Sequence, residues 1–294
     1  MPEMPEVQGL VDFLRLKLIP PGAPPATIAQ VEVLSFSVLK TADVPLDALS
    51  AEPLSGVERR GKFIVLTAGG VHLVMHLAKA GWLRWSDALK PGPLRPGKGP
   101  MALRVRFAAE GEEKPGGFDL TEAGTKKSLA VYVVKDPLDV PGIARLGPDA
   151  LDVDYATFAE IVTSHRGQIK GLLRDQSAIA GIGNAYSDEI LHAAHLSPFA
   201  NAAKLDPDEV TRLFEAMHAV LEHAIASASG RPAAELKDSK RKAMQVHART
   251  GEACPVCGDT IREVSFADSS LQYCPTCQTG GKLLADRRTS KFLK

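Results

Sequence analysis

Apolar residues at Val7, Leu10, Val11, Leu14 and Leu18 recur at helical spacing, so the chain opens on an amphipathic helix with one buried face. Ile19-Pro20-Pro21-Gly22 ends it, because two prolines and a glycine do not continue a helix. Residues 28–41 then alternate and are rich in Val and Ile, the pattern of a strand. Val57 to Leu66, Val71 to Trp85, Met101 to Phe107 and Leu129 to Val134 repeat it. Gly69-Gly70, the Pro/Gly-rich stretch 91–100 and Gly111 to Gly117 punctuate these runs as turns. Many short strands separated by turn signals predict a β-sandwich. From Asp152 to about Gly230 the period becomes helical. Phe158, Ile161 and Val162 begin it, and Leu213, Phe214, Met217, Val220, Leu221 and Ala224 close it. A basic linker and a cysteine-bearing module follow. The fold class expected is α+β multidomain, with boundaries at 1–135, 150–230 and 245–294.

Composition alters this picture little. With 294 residues, 45% hydrophobic and 24% charged, the chain has room for two globular domains and a small module. No apolar run approaches the roughly 18 residues needed to cross a bilayer. The N-terminus lacks a charged region followed by an apolar one, so no secretion signal is read. These features point to a cytoplasmic protein with no membrane partner. The zero net charge does not advertise a polyanionic partner, but the charge is unevenly placed. Lys and Arg outnumber Asp and Glu in residues 231–294, and Lys237, Lys240, Arg241 and Lys242 cluster. A locally basic face suffices to bind a phosphate backbone, and a solvated surface looks the same.

The sharpest chemical signal is Cys254-Pro-Val-Cys257, followed after sixteen residues by Cys274-Pro-Thr-Cys277. Two such knuckles supply the four thiolates that one structural zinc prefers. All four cysteines lie here, which argues for a metal site in a reducing compartment and against a disulfide framework. A closed four-thiolate site has no open coordination position, so this zinc holds a β-hairpin and performs no chemistry.

Three further stretches carry candidate chemistry. The chain begins Met1-Pro2-Glu3-Met4-Pro5-Glu6-Val7, and the small Pro2 permits removal of Met1. A secondary amine then stands beside a carboxylate. With a pKa of about 7.7–8.0, an α-amine is partly neutral and nucleophilic near neutral pH. Its attack on the C1′ of a deoxyribose gives a cationic imine, an electron sink like that of lysine Schiff bases. Glu3 is positioned to exchange a proton with the sugar ring. Asp175-Gln176 through Gly181-Ile182-Gly183-Asn184 interrupts a helical stretch with a glycine-rich bend. The bend presents backbone N–H groups to a phosphate, and Asn184 adds a side-chain donor. Arg59-Arg60-Gly61-Lys62 leads into an apolar strand, which places Lys62 at a hairpin, and His76 follows on the neighbouring strand.

Taken together, the N-terminal block, Arg60-Gly61-Lys62, the 175–184 block and the cysteine module resemble the formamidopyrimidine-DNA glycosylase and endonuclease VIII family, in its order and at its spacing. The resemblance implies an N-terminal catalytic β-sandwich with its helix, a helix–two-turn–helix DNA-binding domain and a C-terminal zinc-ribbon finger. It implies a base-excision DNA glycosylase with abasic-site lyase activity. Pro2 is then the nucleophile, Glu3 the acid/base and Glu6 a support, while Lys62 acts at the hairpin and His76, Lys170 and Asn184 hold the DNA backbone. One zinc is bound by Cys254, Cys257, Cys274 and Cys277. The expected partner is damaged or abasic DNA, met by a monomer in the cytoplasm at the nucleoid. A non-catalytic damage-binding paralogue and a zinc-ribbon adaptor are the alternatives.

Departures from the family pattern bear on substrate. In His76-Leu77-Ala78-Lys79-Ala80-Gly81, Lys79 stands where the family inserts a methionine wedge into the DNA. The family's Asp-Pro-Arg-Arg-Phe-Gly loop reads Asp136-Pro137-Leu138-Asp139-Val140-Pro141, and its finger arginine falls on Ser269. A wedge offsets the cost of unstacking a base. Without it, abasic, single-stranded or distorted DNA is the expected substrate, with Lys282, Arg287 or Arg288 replacing the finger arginine.

Overall fold

The structure, a computed structural model, describes residues 2–50, 52–89, 99–108, 116–124, 126–267 and 269–285. Met1, most of the 91–100 turn, residues 111–115 of the next turn, and Arg287 and Arg288 lie outside the described residues.

The described chain divides into two compact units. One comprises Met1–Arg145 with Ala228–Lys237, the other Leu146–Ser227 with Asp238–Lys294. The helical and cysteine-bearing stretches, read from sequence as separate domains, thus share the second unit.

In the first unit, helix α1 (Met4–Leu18) buries Met4, Val7, Leu10, Val11, Leu14 and Leu18 along one stripe. Glu3 and Glu6 form a capping box at its start, and Arg15 and Lys17 stand in its last turn, where the helix dipole favours cations. The strands are β1 (Thr27–Val33), β2 (Leu54–Arg60), β3 (Phe63–Ala68), β4 (Val71–His76), β5 (Gly81–Ser86), β6 (Met101–Ala108), β7 (Gly117–Glu122) and β8 (Ala130–Val134). They form two antiparallel four-stranded sheets, ordered β1-β6-β7-β5 and β2-β3-β4-β8. Alternation sends Leu83, Leu103, Val105, Phe118 and Leu120 inward from one sheet. Ile64, Leu66, Leu73, Met75, Val131 and Val133 meet them from the other. Each such side chain contributes about 1.5–3 kcal/mol on burial, so the sandwich and α1 share a substantial core. A short helix α2 (Pro141–Ala144) follows the second sheet.

Three differences from the sequence reading concern breaks in apolar runs. The strand expected over 28–41 ends at Val33, and Phe36–Val38 forms a 3₁₀ turn. The runs 57–66 and 71–85 are each two strands. The two-residue turn Gly61-Lys62 divides the first, with Gly61 at φ +54°. The turn 77–80 divides the second, where Gly81 N–H donates to Leu77 O at 2.9 Å. A Cβ on residue 81 would lie 2.2 Å from that oxygen, so only glycine fits. Strand β7, unanticipated, places Phe118 and Leu120 in the core.

In the second unit, α3 (Tyr155–Ser164) is capped by Asp154, whose carboxylate accepts from Thr157 N–H at 2.8 Å. Helices α4 (Ile169–Arg174) and α5 (Asn184–Ala193) flank the glycine-rich bend, and the long α6 (Pro207–Ala228) follows. The basic stretch expected as a linker is helical as α7 (Leu236–Ala243). The finger consists of the hairpin β9 (Arg262–Ser265) and β10 (Ser270–Tyr273), then α8 (Pro275–Thr279). Among the described residues no helix is long and apolar enough to cross a membrane.

Candidate active site

One end of the sandwich gathers the N-terminal and hairpin residues. Arg15 Nη2 donates to Val57 O at 2.7 Å, and Arg59 Nε to Gln8 Oε1 at 2.9 Å. Arg59 Nη1 also donates to Gly61 O at 3.0 Å. Helix α1 therefore runs against β2 with its N-terminus toward the Gly61-Lys62 turn. At 1.5 Å per residue, Glu3 lies roughly 8 Å beyond Gln8, at the turn end. Pro2, Glu3 and Glu6 are all buried. Glu6 Oε2 accepts from Glu3 N–H at 2.8 Å, which fixes the peptide that joins Pro2 to Glu3. Residues 2–7 thus form an anchored segment.

At the same end Lys62 is buried at the turn, and Phe63 pairs with His76 across β3 and β4. Their rings lie 4.7 Å apart. Burial, and secondarily the positive charge of Lys62, push the His76 pKa down to about 4. His76 is therefore a neutral hydrogen-bonding group at neutral pH, beside a buried ammonium. Lys79 is exposed on the adjoining 77–80 turn.

The loop 136–141 has no long side chain to insert. Asp136 Oδ1 accepts from Leu138 N–H at 2.8 Å and shapes a 3₁₀ turn. Leu138 is exposed, whereas Val140, at the family's phenylalanine position, is fully buried.

In the second unit Gln176 organises the bend. Its Oε1 accepts from Gly181 N–H at 3.0 Å and its Nε2 donates to Ile182 O at 2.7 Å. Asn184 opens α5 and donates through Nδ2 to Ser270 O at 2.8 Å, tying the bend to the finger hairpin. Its Oδ1 is buried and has no hydrogen-bond partner among the described residues. Lys170, expected on the DNA backbone, is bonded within the fold. Its buried Nζ donates to Asp188 Oδ1 at 2.7 Å, Ser187 Oγ at 2.7 Å and Asn184 O at 3.1 Å. Those bonds match the three donors of an ammonium and hold the start of α5.

Asp188 and Glu189, which the sequence reading missed, anchor the approach to the finger. Asp188 Oδ2 meets His247 Nδ1 at 2.7 Å. Glu189 accepts from the N–H groups of Gln245, Val246 and His247 at 2.7–3.0 Å. Burial raises the Glu189 pKa, and these three bonds oppose the rise. The available signal was two adjacent acids on a helix whose neighbouring positions are apolar.

The four cysteine sulfurs lie within 4.8 Å of one another, with Cys254–Cys277 at 3.9 Å and Cys257–Cys274 at 3.4 Å. Tetrahedral zinc with bonds of about 2.3 Å requires sulfurs about 3.8 Å apart, so the set fits one structural ion. Asp259 links the knuckles, accepting from Thr276 Oγ1 at 2.9 Å and Thr276 N–H at 3.2 Å. His192 Nε2 lies 3.3 Å from Cys254 Sγ. Ser269 closes the hairpin tip through its carbonyl, which accepts from Phe266 N–H at 2.8 Å, and Lys282 is exposed.

Comparison with known proteins places each part. Residues 1–125 match the formamidopyrimidine-DNA glycosylase N-terminal domain, residues 146–234 its H2TH domain, and residues 251–280 a zinc finger found in FPG and IleRS. A formamidopyrimidine-DNA glycosylase of Moorella thermoacetica is 33% identical over 281 residues, covering 90% of this chain and 94% of its own. An uncharacterized formamidopyrimidine-DNA glycosylase-like protein of Mycobacterium tuberculosis is 61% identical over 154 residues, 52% of this chain and 98% of its own. The fold matches a Lactococcus lactis Fpg solved with DNA containing an abasic site, at TM-score 0.79 and 24% identity, over 95% of this chain and 100% of that one. The matches span sandwich, helical domain and finger, and the chain belongs to the formamidopyrimidine-DNA glycosylase family.

Proposed function

We propose that this chain is a DNA glycosylase with abasic-site lyase activity, and that Pro2 is its nucleophile. The observation that carries this reading is the placement of Pro2 and Glu3, buried and capped, at the sandwich end that bears Lys62 and His76. After removal of Met1, the neutral amine of Pro2 bonds to C1′ of the target nucleotide. A damaged base leaves with a proton as its glycosidic bond breaks; at an abasic site, water is lost instead. The C1′–O4′ bond of the sugar then opens, O4′ leaving as a hydroxyl with a proton from Glu3, and the resulting iminium withdraws electrons, so C2′ loses a proton and the 3′ phosphate departs with the C3′–O bonding pair. Glu3 exchanges the proton at the sugar ring. Lys62 and neutral His76 bind flanking phosphate, with Asn184 and the 181–184 bend on the backbone. Lys79 adds charge from its turn. The zinc finger supplies a rigid DNA-facing hairpin, and the protein acts as a monomer.

The preferred substrate in this reading is an abasic site, or a lesion in single-stranded or distorted DNA. Exposed Lys79, buried Val140, and Ser269 in the finger support it. The first is charged, the second buried and the third short, so these three positions offer no apolar or aromatic wedge to offset unstacking in intact duplex. An 8-oxoguanine:cytosine duplex cleaved faster than abasic DNA would refute this preference.

Borohydride trapping on DNA with one abasic site tests the chemistry. The wild type should form a covalent complex and Pro2→Gly should not. Absence of a complex, from zinc-loaded protein whose mass confirms loss of Met1, refutes the lyase reading in favour of damage binding alone.

A further inference from the structure

Phe36 is 84% exposed, the most exposed of the large apolar side chains described. One exposed apolar side chain is ordinary, but the setting of this one is not. It stands on a 3₁₀ turn closed by Val38 N–H donating to Ser35 O at 3.0 Å. The turn is pinned at both sides. Ser35 N–H donates to Ala102 O at 3.1 Å, and Lys40 N–H to Val131 O at 2.8 Å. Phe36 is thus held rigidly where the chain crosses from one sheet to the other.

Beside it opens a cavity of about 190 Å³, lined among others by Ser35, Ser37, Lys40, Glu122 and Lys127. This is smaller than the about 300–1,000 Å³ typical of drug-sized ligand sites, and is of the scale of one ring system with its hydrogen bonds. Lys40 Nζ donates to Ser37 O and Lys127 Nζ to Glu122 O. Among the described residues each makes this one bond, and an ammonium has three donors. The cavity offers hydroxyls, a carboxylate and two cations, and Phe36, between the lining residues Ser35 and Ser37 in the chain, presents its exposed ring beside it.

Its location connects it to the candidate active site. His76 pairs with Ala130 on β8, and Lys40 bonds to the next residue of that strand on its other side. Two strand spacings separate them, roughly 10 Å. That equals about three stacked base steps of 3.4 Å.

We infer that Phe36 and this cavity form an accessory site for an unpaired nucleobase a few nucleotides from the lesion, with Lys40 and Lys127 on its phosphates. Aromatic side chains within a positively charged track are how single strands are bound without sequence preference. A paired base has its faces covered by neighbours, so the site selects DNA that is already open. The inference rests on the DNA-binding part of the proposed function but not on its chemistry.

The test measures affinity of the zinc-loaded full chain for oligonucleotides bearing one tetrahydrofuran, an abasic analogue that cannot form an imine. The strand is offered alone and fully paired. Phe36→Ala should weaken single-strand binding roughly 5- to 150-fold. Paired DNA should lose less than about twofold. Phe36→Trp should retain single-strand affinity, and Leu16→Ala, at an exposed leucine near the far end of α1, should bind as wild type. Single-strand binding by Phe36→Ala within about twofold of wild type overturns the inference. An equal loss on paired and unpaired DNA also overturns it, and so does a wild type that does not bind the single strand. Failure of borohydride trapping alone leaves these results unaffected and bears on Pro2 only.

Discussion

Replacing Lys170 by methionine separates two roles that look identical in a sequence. In the fold, the Lys170–Asp188 pair is almost wholly removed from water, with side-chain exposures of 6% and 0%. Methionine keeps most of the apolar stem but removes the charge, leaving the Asp188 carboxylate buried. Breaking one side of a buried pair costs about 3–5 kcal/mol, because the remaining charge has lost its compensation. His247 Nδ1 stays 2.7 Å from the other Asp188 oxygen, so the loss belongs near the lower end, about 3 kcal/mol. The thermal midpoint of the second unit should fall by an amount on the order of 10 °C. Scanning calorimetry on zinc-loaded protein, with and without the substitution, reads this directly. Asp188→Asn in the same chain should recover much of the loss, since no isolated charge then remains buried. If Lys170 instead grips a phosphate, the midpoint stays put. DNA affinity then falls, and the salt dependence of log K loses a slope of about 0.9. That pattern would refute the positioning role.

The other expected outcomes concern pH and metal. His76 has a folded pKa of about 4 against an ordinary 6.5, so between these values the unfolded chain binds more protons. Its contribution is complete above about pH 6.5 and is lost as pH falls toward 4, by an amount on the order of 3 kcal/mol. Urea midpoints of wild type and His76→Gln across that window should converge as pH falls; parallel curves would contradict the burial of a neutral imidazole. Cys277→Ser, or exhaustive chelation, should remove the single zinc. Proteolysis should then cut within residues 251–280 while the sandwich survives, because a four-thiolate site supplies folding energy to its own module.

What was legible in the sequence followed from local periodicity and from chemistry that tolerates few alternatives. The stripe from Val7 to Leu18 has one helical face whatever surrounds it, and four cysteines at ribbon spacing have few other uses. The strands were found as apolar runs but not always divided. A two-residue turn such as Gly61-Lys62 interrupts alternation too briefly to register, and the 77–80 turn hides because Leu77 and Ala78 are themselves buried. Strand β7 was lost because the glycine that precedes Phe118 reads as a turn, although a Cβ there would meet Val105 O at 2.2 Å. That glycine is required by the neighbouring strand, a contact distant in sequence.

Side-chain roles are less legible for the same reason. Lys62 and Lys170 are both buried lysines, and a motif assigns both to DNA. Lys170 meets three acceptors supplied by α5, fourteen to eighteen residues away, and is committed to the fold. Lys62 lies instead at a turn near the imidazole of His76, whose pKa burial depresses first and the charge of that lysine second. Both environments are built from elements that folding brings together, fourteen or more residues apart in the chain, so the spacing of the two lysines in a motif does not display what each one meets.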